Sequence, residues 1–397
     1  MHKNPIYLDH GATTPLHPDV LAAMTPYWQE QFGNPSSHHR TGYLAARAVR
    51  QARETVADLM GTEPDAVIFT GCGSESNNLA LRGALLAARA AGRGNHLITS
   101  AIEHSAVLET ARQLRDYYGF DLTILPVDGD GCVRTADVAA AIRPDTALIT
   151  VMAANNEIGA IQPWMEIGAL ARERGILYHS DAVQLVAYRR WNLAAEPVDL
   201  LTIAPHKFYG PKGIGILIAR PGVDLVPALT GGGHENGRRA GTLNVPLIVG
   251  AAEALRLAME ELAERLAHVL PLRDRLLRGV VAALPGMIIT GHPTARLPHH
   301  ASFAFRNLSG NDLLMHLDMA GIAASSGSAC SSGDPKPSPV LEALGLAPEW
   351  TKGGLRLTLG RQNTAADVET VIRELPAIVG ALTAVETEFM AALDHSQ

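Results

Sequence analysis

Between residues 64 and 219, short apolar runs alternate with longer stretches of helical spacing, and this alternation limits the fold more than any other feature of the chain. The runs at 66–70, 95–100, 121–125, 146–151, 175–181 and 214–219 have strand length, while 79–90, 106–117 and 135–142 carry apolar residues at helical intervals. Strands separated by helices need crossover connections, so the pattern predicts a mostly parallel sheet flanked by helices. Such sheets take ligands at the edge where their strands end. Ser74, His104, Asn156, Asp181, Gln184 and Lys207 each stand just past the end of a run. One edge would therefore collect a hydroxyl, an imidazole, a carboxylate, two amides and an amine.

The stretch from 199 to 215 carries the chemistry. An apolar strand enters a turn that presents His206 and Lys207, and Gly210, Pro211 and Gly213 then let the chain reverse. Burial at a strand end lowers a lysine pKa and leaves some amine neutral and nucleophilic. Taken alone, the pair reads as surface charge. The run before it ends in Asp181 and Gln184. A carboxylate at one strand end and a lysine at the next are what pyridoxal phosphate requires: the lysine joins the cofactor, and the aspartate keeps the pyridine nitrogen protonated so that the ring accepts electrons. The turn Gly71-Cys72-Gly73-Ser74 opens a helix with small residues, an arrangement that lets backbone amides approach an anion but is also common as plain structure. Cys72 reads as a small buried residue.

Together with Asn-Asn-Glu-Ile-Gly at 155–159, the glycine-rich run 231–244 and the Ser/Gly/Pro-rich run 325–339, these residues resemble the cysteine desulfurases, pyridoxal enzymes of the class-V aminotransferase family. The likeness runs from Tyr7 to about Arg361 and is to the longer-loop, NifS- and IscS-like class. It implies an α/β fold of the fold type I pyridoxal class, with a large domain at 15–257 and a smaller α+β domain formed by 1–14 and 258–397. The long amphipathic stretch 245–284 is expected to break at Pro271.

The resemblance also implies roles. Lys207 holds the cofactor and removes the substrate's Cα proton, while His104 stacks on the ring and shuttles protons. Asp181 and Gln184 bond to the ring, and Gly73, Ser74 and His206 face its phosphate. Asn156 contacts cofactor or substrate, Arg356 binds the substrate carboxylate, and Asn34 lies beside the site. Thr242 would complete the neighbouring subunit's phosphate site, which makes a homodimer. Cys330, on the loop 325–339, would take the sulfur of L-cysteine as a persulfide, leave alanine, and hand the sulfur to an acceptor or iron-sulfur scaffold protein. It could also serve as a transient cluster ligand there. Relatives usually carry a serine where this chain has Ala204, so one phosphate hydrogen bond is expected to be missing, and Ala153 and Ala154 stand where a polar residue is common in relatives. Selenocysteine or cysteine sulfinate as substrate, or a non-catalytic sulfur-transfer scaffold, are the competing readings.

Composition narrows the partners. A formal charge of −7 over 397 residues gives no basic footprint for nucleic acid. No run of eighteen apolar residues occurs and the start has no apolar core of a leader, so a cytoplasmic protein without a membrane anchor is expected. Cys72, Cys132 and Cys330 form no CxxC, and the pairs His38-His39 and His299-His300 lack partners at zinc spacing, so no metal site of its own is expected. Both histidine pairs read as loop residues.

Overall fold

The computed structural model describes residues 5–327 and 337–394, with 386–394 as backbone only. Twelve strands are found among them: β1 (Ile6–Tyr7), β2 (Val67–Thr70), β3 (His96–Ser100), β4 (Asp121–Leu125), β5 (Thr146–Thr150), β6 (Leu177–Asp181), β7 (Leu200–Ile203), β8 (Gly215–Ala219), β9 (Ile288–Ile289), β10 (His300–Ala304), β11 (Ile322–Ala323) and β12 (Gly354–Thr358). β2 to β8 form one sheet in the order β2-β8-β7-β6-β5-β3-β4. Its pairings are parallel from β7 through β6, β5 and β3 to β4, and only β8 is antiparallel to its two neighbours. Hence β2, β3, β5, β6 and β7 all end at the same edge.

The apolar runs explain why this sheet is buried on both faces. Successive side chains of a strand point to opposite sides, and the sheet sorts them accordingly. Phe69, Ile98, Ile149, Leu201 and Ile216 enter one core, beneath the helices Arg40–Met60, Trp164–Glu173 and Val245–Glu260. Ile68, Leu97, Leu148, Leu200 and Leu217 enter the other, beneath Gly73–Ala90 and Ser105–Tyr118. A polar substitution anywhere in β2, β5 or β7 would therefore be buried, whichever face it took.

A third core lies beyond this sheet. β12-β10-β9 form an antiparallel sheet, and β1 pairs in parallel with β11, which brings the first described residues to the C-terminal part. Leu8, Leu276, Phe303, Leu317, Leu357 and Val371 pack there, with the helices Leu262–Ala283 and Ala365–Asp394.

The structure corrects two expectations. The stretch 245–284 breaks at Glu261, and Pro271 lies inside the helix Leu262–Ala283. Pro271 is exposed, so water can take the backbone carbonyl that loses its partner. His299 lies in the turn before β10, as expected of a loop residue, but it is buried, and His300 is a strand residue. They are 2 % and 0 % exposed, His300 opens β10, and His299 stacks on Tyr188 with ring centroids 4.3 Å apart.

Candidate active site

β7 delivers Lys207. The strand stops at Ile203, and after Ala204 the single turn Pro205–Lys207 follows, started by a buried proline whose fixed φ suits a first helical position. Tyr209 then takes a positive φ of 65°, a strained conformation for a bulky residue that only firm anchoring maintains. Its N–H donates to Thr14 Oγ1 at 2.6 Å, its carbonyl accepts from His17 N–H at 3.0 Å, and its hydroxyl accepts from Arg361 N–H at 2.8 Å. Lys207 Nζ donates to the carbonyls of Gly11 and Ala12 at 2.8 and 2.6 Å. The Gln184 amide donates to the same Gly11 carbonyl at 3.0 Å. Lys207 and Gln184 therefore converge on the crossing segment 9–14, whose carbonyls were not legible as site groups in the sequence.

Asp181 closes β6, next to β7, where its backbone pairs with Thr202. It is 5 % exposed; Oδ2 accepts from Asn77 Nδ2 at 2.7 Å and Oδ1 accepts from Val183 N–H at 3.0 Å. Asn77 escaped the sequence reading. A buried amide one turn inside the helix Gly73–Ala90 was the available signal, and its own Oδ1 has no partner among the described residues.

Cys72 caps that helix, but it is exposed rather than buried, which corrects the reading from size alone. Its Sγ accepts from Glu75 N–H at 3.4 Å and its carbonyl from Ser76 N–H at 3.1 Å. The amides of Gly73 and Ser74 come before these and, as first-turn donors, have no intrahelical acceptor. A Cβ added at Gly73 would lie 3.2 Å from the Cβ of Ala204 and 3.5 Å from Val183 Cγ2, so the helix start rests on the ends of β6 and β7. Ser74 also lines a cleft of about 680 Å³ with Ser105 and Ala106. An anion cradle, a buried carboxylate and an amine thus share one rim, and this donor set fits pyridoxal phosphate.

His206 Nδ1 lies 3.1 Å from Thr13 Oγ1, and burial, followed by the charges of Lys207 and Lys212, pushes its pKa down to about 4. It is neutral at pH 7. His104 is exposed at the head of the helix Ser105–Tyr118, where Nδ1 accepts from Ala106 N–H at 3.1 Å. That bond leaves Nε2 as the protonated nitrogen of the neutral ring.

Beside it, Glu103 is buried, with Oε1 accepting from Ser100 Oγ at 2.6 Å and Met152 N–H at 2.8 Å. Burial pushes its pKa up to about 8. The folded protein therefore holds a proton there between about 4.5 and 8 that the unfolded chain has released, and stability drains as pH rises through that window. Glu103→Gln, which stays neutral, is expected to gain about 2–4 kcal/mol on wild type between pH 5 and pH 8. Thermal midpoints of both proteins against pH check this, and a constant difference between the two curves would contradict it.

Arg356 extends from β12, 7 % exposed. Nη2 meets Asp9 Oδ1 at 2.8 Å and Nη1 donates to the Asn156 carbonyl at 2.9 Å, while Nε is buried without a partner among the described residues. The guanidinium is thus aimed from both sides of its fork, and the salt bridge to Asp9 is present alongside any part it takes in binding. Asn155, not Asn156, shapes the turn: its side chain accepts from Glu157 and Ile158 N–H and donates to the Ile102 carbonyl. Ala153 and Ala154 are buried beside it.

Asn34 and Thr242 are exposed and have no described contact with the Lys207 rim. Asn34 Oδ1 accepts from Ser36 N–H within its own turn. A separate cavity of about 420 Å³ is lined by Pro35, Ser36, His234 and Leu243, which places the two loops together. The run 231–244 is pinned near the site by Arg239 to Glu75 at 2.8 Å, and by buried Glu235 to Arg53 at 2.5 Å. Cys330 lies outside the described residues. No metal-binding cluster of His, Cys, Asp or Glu is present among the described residues, and no helix among them is long and apolar enough to cross a membrane.

Residues 6–371 match the aminotransferase class-V family, and the chain belongs to that family of pyridoxal-phosphate enzymes. Among its relatives are proteins named cysteine desulfurase IscS, from Methanosarcina thermophila at 46% identity, covering 94% of this chain and 92% of that protein, and from Dictyoglomus turgidum at 43%, covering 95% of each. A solved structure described as a NifS-like protein superposes with a TM-score of 0.88 at 36% identity, over 95% of this chain and all of that one. Within the family the chain groups with the cysteine desulfurases.

Ala204 stands at the anion cradle. Ala204→Ser is expected to slow cofactor dissociation about tenfold, the worth of one hydrogen bond to a charged group. Decay of the bound chromophore after dilution into a cofactor trap measures it; an unchanged rate would show that position 204 does not reach the phosphate.

Proposed function

We propose that the chain converts L-cysteine to L-alanine and carries the released sulfur on Cys330 as a persulfide. The observation that carries this reading is the meeting of Lys207 and Gln184 on the Gly11 carbonyl, one strand away from the buried carboxylate of Asp181. Lys207, Asp181, Gln184, His206, Asn156 and the amides of Gly73 and Ser74 hold pyridoxal phosphate, which when bound supplies a sink for electrons released from the substrate.

Lys207 takes the Cα proton and returns protons to the three-carbon fragment. His104, with Nε2 as its donor nitrogen, moves protons at the substrate side. Arg356 grips the carboxylate, with Asp9 and the Asn156 carbonyl fixing the fork and Asn34 near the substrate. The Cys330 thiolate attacks the substrate sulfur. An S–S bond forms, the C–S bond breaks, and its electron pair and a proton stay with the fragment that leaves as alanine.

The division into 15–257 and 1–14 with 258–397 puts Lys207 and Asp181 on one unit and Arg356 with Cys330 on the other. Thr242, exposed and without a described contact to the rim within one chain, serves a partner subunit in a homodimer. A soluble acceptor or iron-sulfur scaffold protein in the cytoplasm takes the sulfur.

Mapping by mass spectrometry after mixing the protein with L-cysteine tests this. One extra sulfur atom on Cys330 and an equal amount of alanine are expected. Alanine without sulfur on Cys330, or sulfur on Cys72 or Cys132 instead, would overturn it.

A further inference from the structure

Glu157 has no part in the chemistry above, yet its carboxyl lies where two separate chain segments meet. Asn155 Oδ1 accepts from its N–H at 2.8 Å. Ser338 Oγ donates to Glu157 Oε2 at 2.6 Å while accepting from Leu341 N–H at 3.2 Å, as cap of the short helix Pro339–Ala343. Ser338 N–H is itself fixed to the Thr351 carbonyl at 3.0 Å. On the other side, a Cβ added at Gly327 would fall 2.3 Å from Glu157 Oε2 and 2.8 Å from Ser338 Oγ, so a side chain there would displace the pair. Two residues earlier, Ser325 and Arg356 exchange backbone hydrogen bonds of 2.7 and 3.2 Å. Burial raises the carboxyl pKa to about 7, opposed by the Ser338 hydroxyl and the charge of Arg356.

We propose that Glu157 is a positioning residue that ties Gly327 and Ser338, the residues bordering the segment that bears Cys330, to the loop carrying Asn156. The role rests on the desulfurase reading and refines it: the carboxyl fixes where the thiol-bearing segment leaves the fold relative to Arg356. The Ser338 hydroxyl bonds to the same oxygen that fills the space a Cβ at Gly327 would need, so loss of that oxygen loosens both borders together. Glu157→Gln keeps an acceptor for Ser338, whereas Glu157→Ala does not. Ser338→Ala removes the tether from the other end and leaves Glu157 in place.

The test uses full-length holoenzyme of the wild type and these three variants, with two readouts. Single-turnover persulfide formation on Cys330 from L-cysteine is expected to fall about 10- to 100-fold in Glu157→Ala and Ser338→Ala, with KM for L-cysteine moving less than about threefold and Glu157→Gln staying close to wild type. Equal rates in all four proteins, or a KM that rises in step with the lost rate, would overturn the positioning role. The rate of Cys330 alkylation by iodoacetamide without substrate does not depend on desulfurase activity. It should change in Glu157→Ala and Ser338→Ala, and not in Glu157→Gln. Identical alkylation in all four would sink the role even if the wild type proved to form no persulfide, while that latter failure would count against the function alone.

Discussion

Lys207→Ala is expected to lower alanine formation from L-cysteine by about a thousandfold or more, and to abolish the cofactor's covalent attachment, because one amine serves both tasks. The structure gives the reason that no neighbour replaces it. Lys207 Nζ is carried to the rim by β7 and held by the carbonyls of Gly11 and Ala12, whereas Lys212, the next amine in the chain, is exposed beyond the turn. Alanine production and the visible absorbance of the purified variant are the measurements. Retention of turnover within about tenfold of wild type would mean that another base does the work.

The second large effect belongs to Cys330. Cys330→Ser is expected to remove persulfide and alanine formation while the bound chromophore and its response to L-cysteine remain. A serine hydroxyl has no thiolate with which to attack sulfur, while the amine of Lys207 that binds the cofactor is unchanged by the substitution. The other two cysteines are poor substitutes. Cys132 is half-buried and its thiol is pushed up to about 11 by burial and by Asp128 and Asp130, and Cys72 is engaged as a helix cap. Normal turnover in the serine variant would refute the carrier role, and titration of alanine against enzyme in a single turnover separates that result from slow residual chemistry.

Strand ends were legible because they depend on local pattern: Asp181 closes β6 and Lys207 follows β7 where the apolar runs stop. Helix caps are equally local: Ser309 heads Gly310–Met319, its hydroxyl accepting from Asp312 N–H. Misreadings arose where environment outweighed residue type. Cys72 is small and apolar, yet the helix start holds it in solvent. His299 and His300 look like exposed loop residues, yet the turn before β10 and the first residue of β10 place them in the interior, where burial holds both pKa values well below the usual range. The proline at 271 suggested a break that the helix avoids by turning that position outward.

The order of the apolar runs was enough to dictate a parallel sheet and the side on which its functional groups gather, since strand direction follows from crossover connections alone. Side-chain pairing across distant segments was not in the order of residues. The hold of Asn77 on Asp181, of Gly11 on Lys207 and Gln184, of Asp9 on Arg356 and of Glu157 on Ser338 spans 104 to 347 positions. Such contacts exist only once the cores have closed, because packing geometry, not local preference, decides which buried polar groups face one another.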